Sequence, residues 1–157
     1  MFGICIRYAQ NRDDAQDILQ EGFIKVFQNL NTYKDVGPLG GWIRKIILNT
    51  ALEHCRKSKG KYQIDVEFEF ISLESTDDTI IDELALKDLV EKIQKLPNGY
   101  RAVFNLYAIE GYNHSEIAQL MSISEGTSKS QYSKAKAMLR SMIDSENNLE
   151  DRRTKYA

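Results

Sequence analysis

Cysteine is nearly absent. Cys5 and Cys55 are the only two, too few and too far apart for a disulfide framework or a zinc site. Both fall on apolar helix faces, which makes them core residues. No run approaches the roughly 18 uninterrupted apolar residues that a membrane span needs, and the opening MFGICIRYAQNRDDAQD has neither a basic leader nor a small-residue cleavage site. A cytoplasmic chain with no membrane insertion is expected. Catalytic equipment is missing too: His54 and His114 have no paired carboxylate, cysteine or glycine-rich phosphate loop at a useful spacing, and a lone histidine on a helix is usually structural or solvated. These absences argue against an enzyme, a metal centre or a cofactor.

What is present is an ordinary globular composition over 157 residues, 42% hydrophobic and 28% charged, enough for one ordinary domain or two small ones. The net charge of −2 argues superficially against nucleic acid, but a sum hides the distribution. Arg44 to Lys61 carries six cations against Glu53 alone. Tyr62 to Lys95 carries ten carboxylates against Lys87, Lys92 and Lys95, and Glu125 to Ala157 has seven basic and five acidic residues. Two basic segments flank an acidic connector.

Ala15, Ile18, Leu19, Gly22, Phe23, Val26, Phe27 and Leu30 have the spacing of one helix face. Asn11 stands as its N-cap, with Asp13 and Asp14 in the first turn where the helix dipole favours them. Residues Asn31 to Gly41 hold Gly37, Pro38, Gly40 and Gly41 and read as a loop. A second helix follows on Trp42, Ile43, Ile46, Ile47, Ala51, Leu52 and Cys55, its other face carrying Arg44, Lys45, Asn49, Arg56 and Lys57. Trp42 reads as core. Between Gly60 and Asp82 periodicity weakens; VEFEFISLE alternates like a strand but is short, acidic and without a partner, so it reads as linker. Helical spacing resumes at Ile81, Leu84, Ala85, Leu89, Ile93 and Leu96 and stops at Pro97. Ala102, Val103, Leu106 and Ile109 mark a further helix that Gly111 ends in a left-handed conformation.

The segment Asn113 to Ile143 reads as a helix-turn-helix. Asn113 caps a short helix with Glu116 three residues on, Ser122 to Ser124 form the turn, and Ser124 caps the second helix. There Ser128, Tyr132, Ala135, Leu139 and Met142 point inward together. The outward face offers Glu125, Thr127, Lys129, Ser130, Gln131 and Lys134, cations mixed with short hydrogen-bonders, which suits base reading plus phosphate contact. The same lysines also suit the merely solvated side of an amphipathic helix. Two caps and a three-residue turn in one short span favour DNA.

SISEGTSKSQYSKAKAML resembles region four of bacterial extracytoplasmic-function sigma factors, of the sigma-70 family, and DDAQDILQEGFIKVFQNL with GWIRKIILNTALEHCRK resembles their region two. The resemblance implies an all-α fold of two small helical domains joined by a flexible acidic linker: region two over 1–60, linker over 61–80, the helix-turn-helix domain over 81–145 and a polar tail over 146–157. It implies transcription initiation with RNA polymerase core and promoter DNA as partners, and it adds an anti-sigma factor as a candidate partner. Asp14, Asp17, Gln20, Glu21 and Phe23 fall on the helix that docks on polymerase in that family; by itself such a face is also an ordinary solvated one, or acidic rim contacts around an aromatic anchor. Tyr33 and Lys34 match the loop that captures an unstacked base, where aromatic stacking suits single strands; simple packing is equally open to Tyr33. Asn49, Glu53, Arg56 and Lys57 fall where relatives hold the minus-ten element, and Thr127, Lys129, Ser130, Gln131 and Lys134 where they enter the major groove of the minus-thirty-five element, with Glu125 beside them. Relatives often carry arginine where Gln131 stands; glutamine favours adenine and arginine guanine. They also have about one more helix's worth of residues ahead of MFGICIRY. Two other readings remain at this point: an operator-binding regulator that never joins polymerase, and a protein-binding adaptor on the same fold.

Overall fold

The protein is described from a computed structural model over residues 1–35, 37–57 and 83–155, with side chains at 1–35, 37–56 and 87–145. The acidic connector 61–80 and its VEFEFISLE lie outside the described residues. Among the described residues the regular structure is helical throughout.

Helix α1 (Phe2–Tyr8) buries Ile4, Cys5 and Tyr8. Helix α2 (Arg12–Gln28) begins where the sequence places its cap: Asn11 Oδ1 accepts the Asp14 backbone N–H at 2.8 Å. Its buried face is Ala15, Ile18, Gly22 and Val26. Phe27 and Leu30, grouped with that face by periodicity, are exposed instead, because Phe27 lies about 100° round the helix from Val26. A 3-10 turn, Leu30–Thr32, leads to α3 (Leu39–Lys57). That helix starts three residues ahead of Trp42, since Pro38 C=O accepts from Gly41 and Trp42 N–H at 2.9 and 3.3 Å and draws both glycines into the first turn. Ile47, Leu48, Ala51, Leu52 and Cys55 are buried as expected, but Trp42 and Ile46 are only half-buried.

Helices α2 and α3 meet closely at Gly22. A Cβ there would lie 2.4 Å from Ile47 Cδ1 and 3.6 Å from Ile47 Cα. Alanine can be met by turning the end of Ile47, and its helix propensity offsets the strain by about 1 kcal/mol. Valine reaches the α3 backbone, and Gly22→Val is expected to cost about 2 kcal/mol by overpacking, read as a lower urea midpoint with an unchanged slope. Equal midpoints for Gly22→Val and Gly22→Ala would refute the close approach.

Helix α4 (Glu83–Gln94) buries Ile93, and Leu96 follows it into the core, whereas Leu89 faces solvent. Pro97 ends it. The corner to α5 (Asn98–Phe104) is held by Arg101, a nearly fully buried guanidinium that donates to Gln94 C=O at 2.7 Å and Asn98 Oδ1 at 2.6 Å. Burial lowers its pKa. The single helix expected through Ile109 instead widens into a π-helical turn, Asn105–Ile109, before Gly111 at φ 80°. Helix α6 (His114–Met121) carries the full capping box, with Asn113 Oδ1 accepting Glu116 N–H at 2.9 Å and Glu116 Oε2 accepting Asn113 N–H at 2.7 Å. Ser122 turns left-handed at φ 51°, and α7 (Glu125–Lys155) runs on through most of the segment 146–157 that the sequence assigns to a polar tail. Ser128, Ala135 and Leu139 are buried; Tyr132 and Met142 are half-buried.

The two modules do not stand apart. Ile4, Cys5, Tyr8, Ile47, Ala51 and Leu52 of the first belong to one apolar core with Ala102, Val103, Leu106, Ile117 and Leu120 of the second. Polar bonds cross the same junction: Gln94 Nε2 donates to Ile6 C=O at 3.0 Å and Asn105 Nδ2 to Arg7 C=O at 2.8 Å.

Candidate nucleic-acid interface

The turn between α6 and α7 fixes the start of the second helix. Ser124 Oγ accepts Thr127 N–H at 3.0 Å and lies 2.8 Å from Thr127 Oγ1, so the half-buried Thr127 hydroxyl is part of the cap. From there α7 presents Glu125, Lys129, Ser130 and Lys134 to solvent. Lys129 Nζ sits 2.6 Å from Glu125 Oε1; that hydrogen bond and the lysine's charge pull the Glu125 carboxyl below its ordinary value. Ser130 Oγ donates back to Thr127 C=O at 3.0 Å. Gln131 departs from the free base reader that the sequence suggests: it is half-buried, and its Oε1 is enclosed without a hydrogen-bond partner, because its position lies next to the inward Tyr132 row. The helix is braced from below by His114. Its Nδ1 lies 2.9 Å from the Oγ of buried Ser128, and its ring stacks on Tyr107 at 4.4 Å. Tyr132 packs on Tyr107 at 4.5 Å, with Lys136 Nζ 4.8 Å from its ring centre.

In the first module Lys34 is exposed, while Tyr33 is half-buried with its ring 5.4 Å from Trp42. The Tyr33 hydroxyl lies 2.5 Å from Gly37 C=O, to which it donates, and 3.1 Å from Asp35 Oδ1. Its edge is thus tied into its own loop, and Trp42 supports that loop rather than the helix-pair core. On α3, Asn49 and Arg56 are half-buried; Arg56 Nε is enclosed without a partner, and burial lowers the Arg56 pKa. Glu53 is held by Lys25 of α2 at 2.6 Å. Burial alone would lower the Lys25 pKa, but its hydrogen bonds to Glu53 and Glu21 outweigh that and raise it. The Lys57 side chain lies outside the described residues.

On α2, Asp17 and Gln20 are exposed, Asp14 is half-buried beside the Asn11 cap, and Glu21 pairs with Lys25 at 3.2 Å. Phe23, the aromatic anchor that the sequence suggests, is half-buried and packs against the apolar core, one position on from buried Gly22. The exposed apolar residues are Ile24 (56%) and Phe27 (72%), with Leu30 beyond. The signal lay in the numbering: 17, 20, 24 and 27 form one stripe at spacings of three and four.

The family description "Sigma-70 region 2" matches residues 1–61 and "Sigma-70, region 4" matches residues 86–139. The ECF RNA polymerase sigma factor SigW of Bacillus subtilis is 27% identical over 154 residues, covering 91% of this chain and 82% of that protein. RNA polymerase sigma factor SigV of the same organism is 29% identical over 146 residues, covering 92% and 85%. The solved structure of the sigma factor RpoE in complex with the anti-sigma factor NepR from Bartonella quintana matches 91% of this chain and 89% of that one at 19% identity and a TM-score of 0.55, a likeness of fold.

Proposed function

The chain belongs to the sigma-70 family, as a member of its extracytoplasmic-function type, and on that premise we propose how its two modules divide promoter recognition in the cytoplasm. The module of α1 to α3 engages polymerase core and the minus-ten element, and that of α4 to α7 engages the minus-thirty-five element. The observation that carries this is the doubly capped helix-turn-helix, whose second helix leaves Glu125, Lys129, Ser130 and Lys134 facing solvent at its N-terminal end, the end that enters a major groove in such motifs. Lys129 and Lys134 supply phosphate contact, and Ser130 and Gln131 face bases once Gln131 turns outward. In the first module Lys34, Asn49, Arg56 and Lys57 hold the opened strand, with Tyr33 and Trp42 as an aromatic platform at its loop.

The polymerase contact falls on the outer stripe of α2. Asp17 and Gln20 form its polar margin and Ile24 and Phe27 its apolar centre, the arrangement of an interface hot spot. An anti-sigma factor remains a candidate occupant of the same surfaces. The test is promoter-dependent transcription by core polymerase with and without the protein. Specific starts that require it are expected; their absence at every promoter drawn from its bound DNA would sink the reading. No span among the described residues is long and apolar enough to cross a membrane.

A further inference from the structure

A serine inside a helix commonly turns its hydroxyl back on its own backbone, and two serines of α7 do so: Ser130 Oγ donates to Thr127 C=O at 3.0 Å and Ser145 Oγ to Ser141 C=O at 2.6 Å. Ser128 turns elsewhere. It is 0% exposed, and its Oγ lies 2.9 Å from Nδ1 of His114 on α6. A buried hydroxyl needs a partner, so a bond between two helices here takes the place of the local one.

The imidazole is held in the orientation that this bond requires. His114 is the first residue of α6, whose start is fixed by the reciprocal bonds of Asn113 and Glu116. Its ring stacks on Tyr107 of the π-helical turn, 4.4 Å between centres and 15° between planes, and meets Tyr132 at 5.9 Å and 61°. Tyr132 stands one turn after Ser128 on the same face of α7. His114 therefore grips α7 at two successive turns, by a hydrogen bond at the first and an aromatic contact at the second.

The first of those turns belongs to the end of α7 that is read above as facing DNA. Ser128 N–H donates to Ser124 C=O at 3.0 Å, the bond that opens the helix, and Lys129, Ser130 and Gln131 follow directly. Without His114, the usual helical alternative for the Ser128 hydroxyl is that same Ser124 C=O, and a serine bonded back in this way bends its helix. Ser130 and Gln131 meet bases only within the narrow angular range of a hydrogen bond. Lys129 and Lys134 are less sensitive, because their flexible stems follow a phosphate through a small displacement.

We propose that His114 is a positioning residue for promoter discrimination: by holding the Ser128 hydroxyl away from the backbone of α7 it keeps the first turn straight and aims Ser130 and Gln131 at bases, without itself touching DNA. The inference rests on the minus-thirty-five reading of α7 and deepens it by naming the residue that sets the aim of the reading helix.

The test is transcription by core polymerase carrying the full chain, on promoters altered one base pair at a time across the minus-thirty-five element, with the salt dependence of promoter binding measured alongside. His114→Phe keeps a ring for Tyr107 and removes Nδ1. It is expected to lower discrimination among the altered promoters about three- to tenfold, the equivalent of one net hydrogen bond, with an unchanged salt slope because the phosphate contacts remain. His114→Asn, whose amide puts a hydrogen-bonding atom near the place of Nδ1, is expected to restore wild-type discrimination. The double variant of His114→Phe with Ser128→Ala should restore it too, since replacing both partners by apolar groups leaves no hydroxyl to turn. Undiminished discrimination in His114→Phe, a double variant no better than His114→Phe, or a loss in His114→Asn as large as in His114→Phe would each overturn the proposal. So would a reduced salt slope, which would make His114 a phosphate contact. If His114→Phe lacks the wild-type helix content by circular dichroism, His114→Gln, whose amide reaches toward the place of Nε2 instead, is judged by the same criteria. A wild type that transcribes equally from every altered minus-thirty-five element would instead remove the reading of α7 itself.

Discussion

Leu106→Ala is expected to lower thermal stability by about 3 kcal/mol, the usual cost of emptying a fully buried leucine site, and the melting midpoint by about 6–12 °C for a chain of this size. Leu106 is 0% exposed and lies in the core that α1 and α3 share with α5 and α6. Its loss should therefore be felt by both modules. Calorimetry of the wild type should show a single transition, shifted as a unit by the substitution, because both modules contribute to one apolar core. Two separate transitions, with only one displaced by Leu106→Ala, would show that the shared core does not unite the modules in solution.

The second large effect concerns the outward face of α7. Replacing both Lys129 and Lys134 with alanine should weaken binding at every promoter and reduce the slope of log affinity against log salt by about 1.8, roughly 0.9 for each lost phosphate contact. Of the two, Lys134→Ala should cost more. Lys129 is already paired with Glu125 at 2.6 Å and must exchange that partner for phosphate, whereas Lys134 is solvent-exposed. Gln131→Ala should behave differently, relaxing discrimination among bases with little change in the salt slope. Filter binding or fluorescence anisotropy at several salt concentrations, on a set of promoters altered one base pair at a time, separates the cases. Identical sequence-independent losses for Lys134→Ala and Gln131→Ala would contradict this division of roles.

The outer face of α2, proposed above to meet polymerase, shows where one-dimensional periodicity misleads. Leu19, Phe23, Val26 and Phe27 all look like members of a single apolar stripe. A helix has room for only about 100° of buried arc against one partner, and with Gly22 pressed against Ile47 the arc centres on Ala15, Ile18, Gly22 and Val26. Phe23 lies at its margin and packs inward, and Phe27 falls outside it. The apolar residues left facing solvent are then Ile24 and Phe27, although the helix itself was legible from its pattern.

Local rules were enough wherever a structure is decided within a few residues. The Asn11 cap, the Asn113 and Glu116 capping box, the turn at Ser122, the Ser124 cap, the stop at Pro97 and the left-handed Gly111 are set by short-range hydrogen bonds and backbone sterics that side chains announce in the sequence. The helical fold class and the helix-turn-helix follow from them. Tertiary structure alone decided which of several apolar residues on a helix find a partner, why Tyr33 pairs with Trp42, why Arg101 is buried at a helix corner, and how the modules meet. A buried Glu110 facing Arg7 and Arg44 joins residues about a hundred and about sixty-six positions apart, and no local pattern encodes such pairs, because a carboxylate in the sequence is indistinguishable from a solvated one until two cations are folded against it.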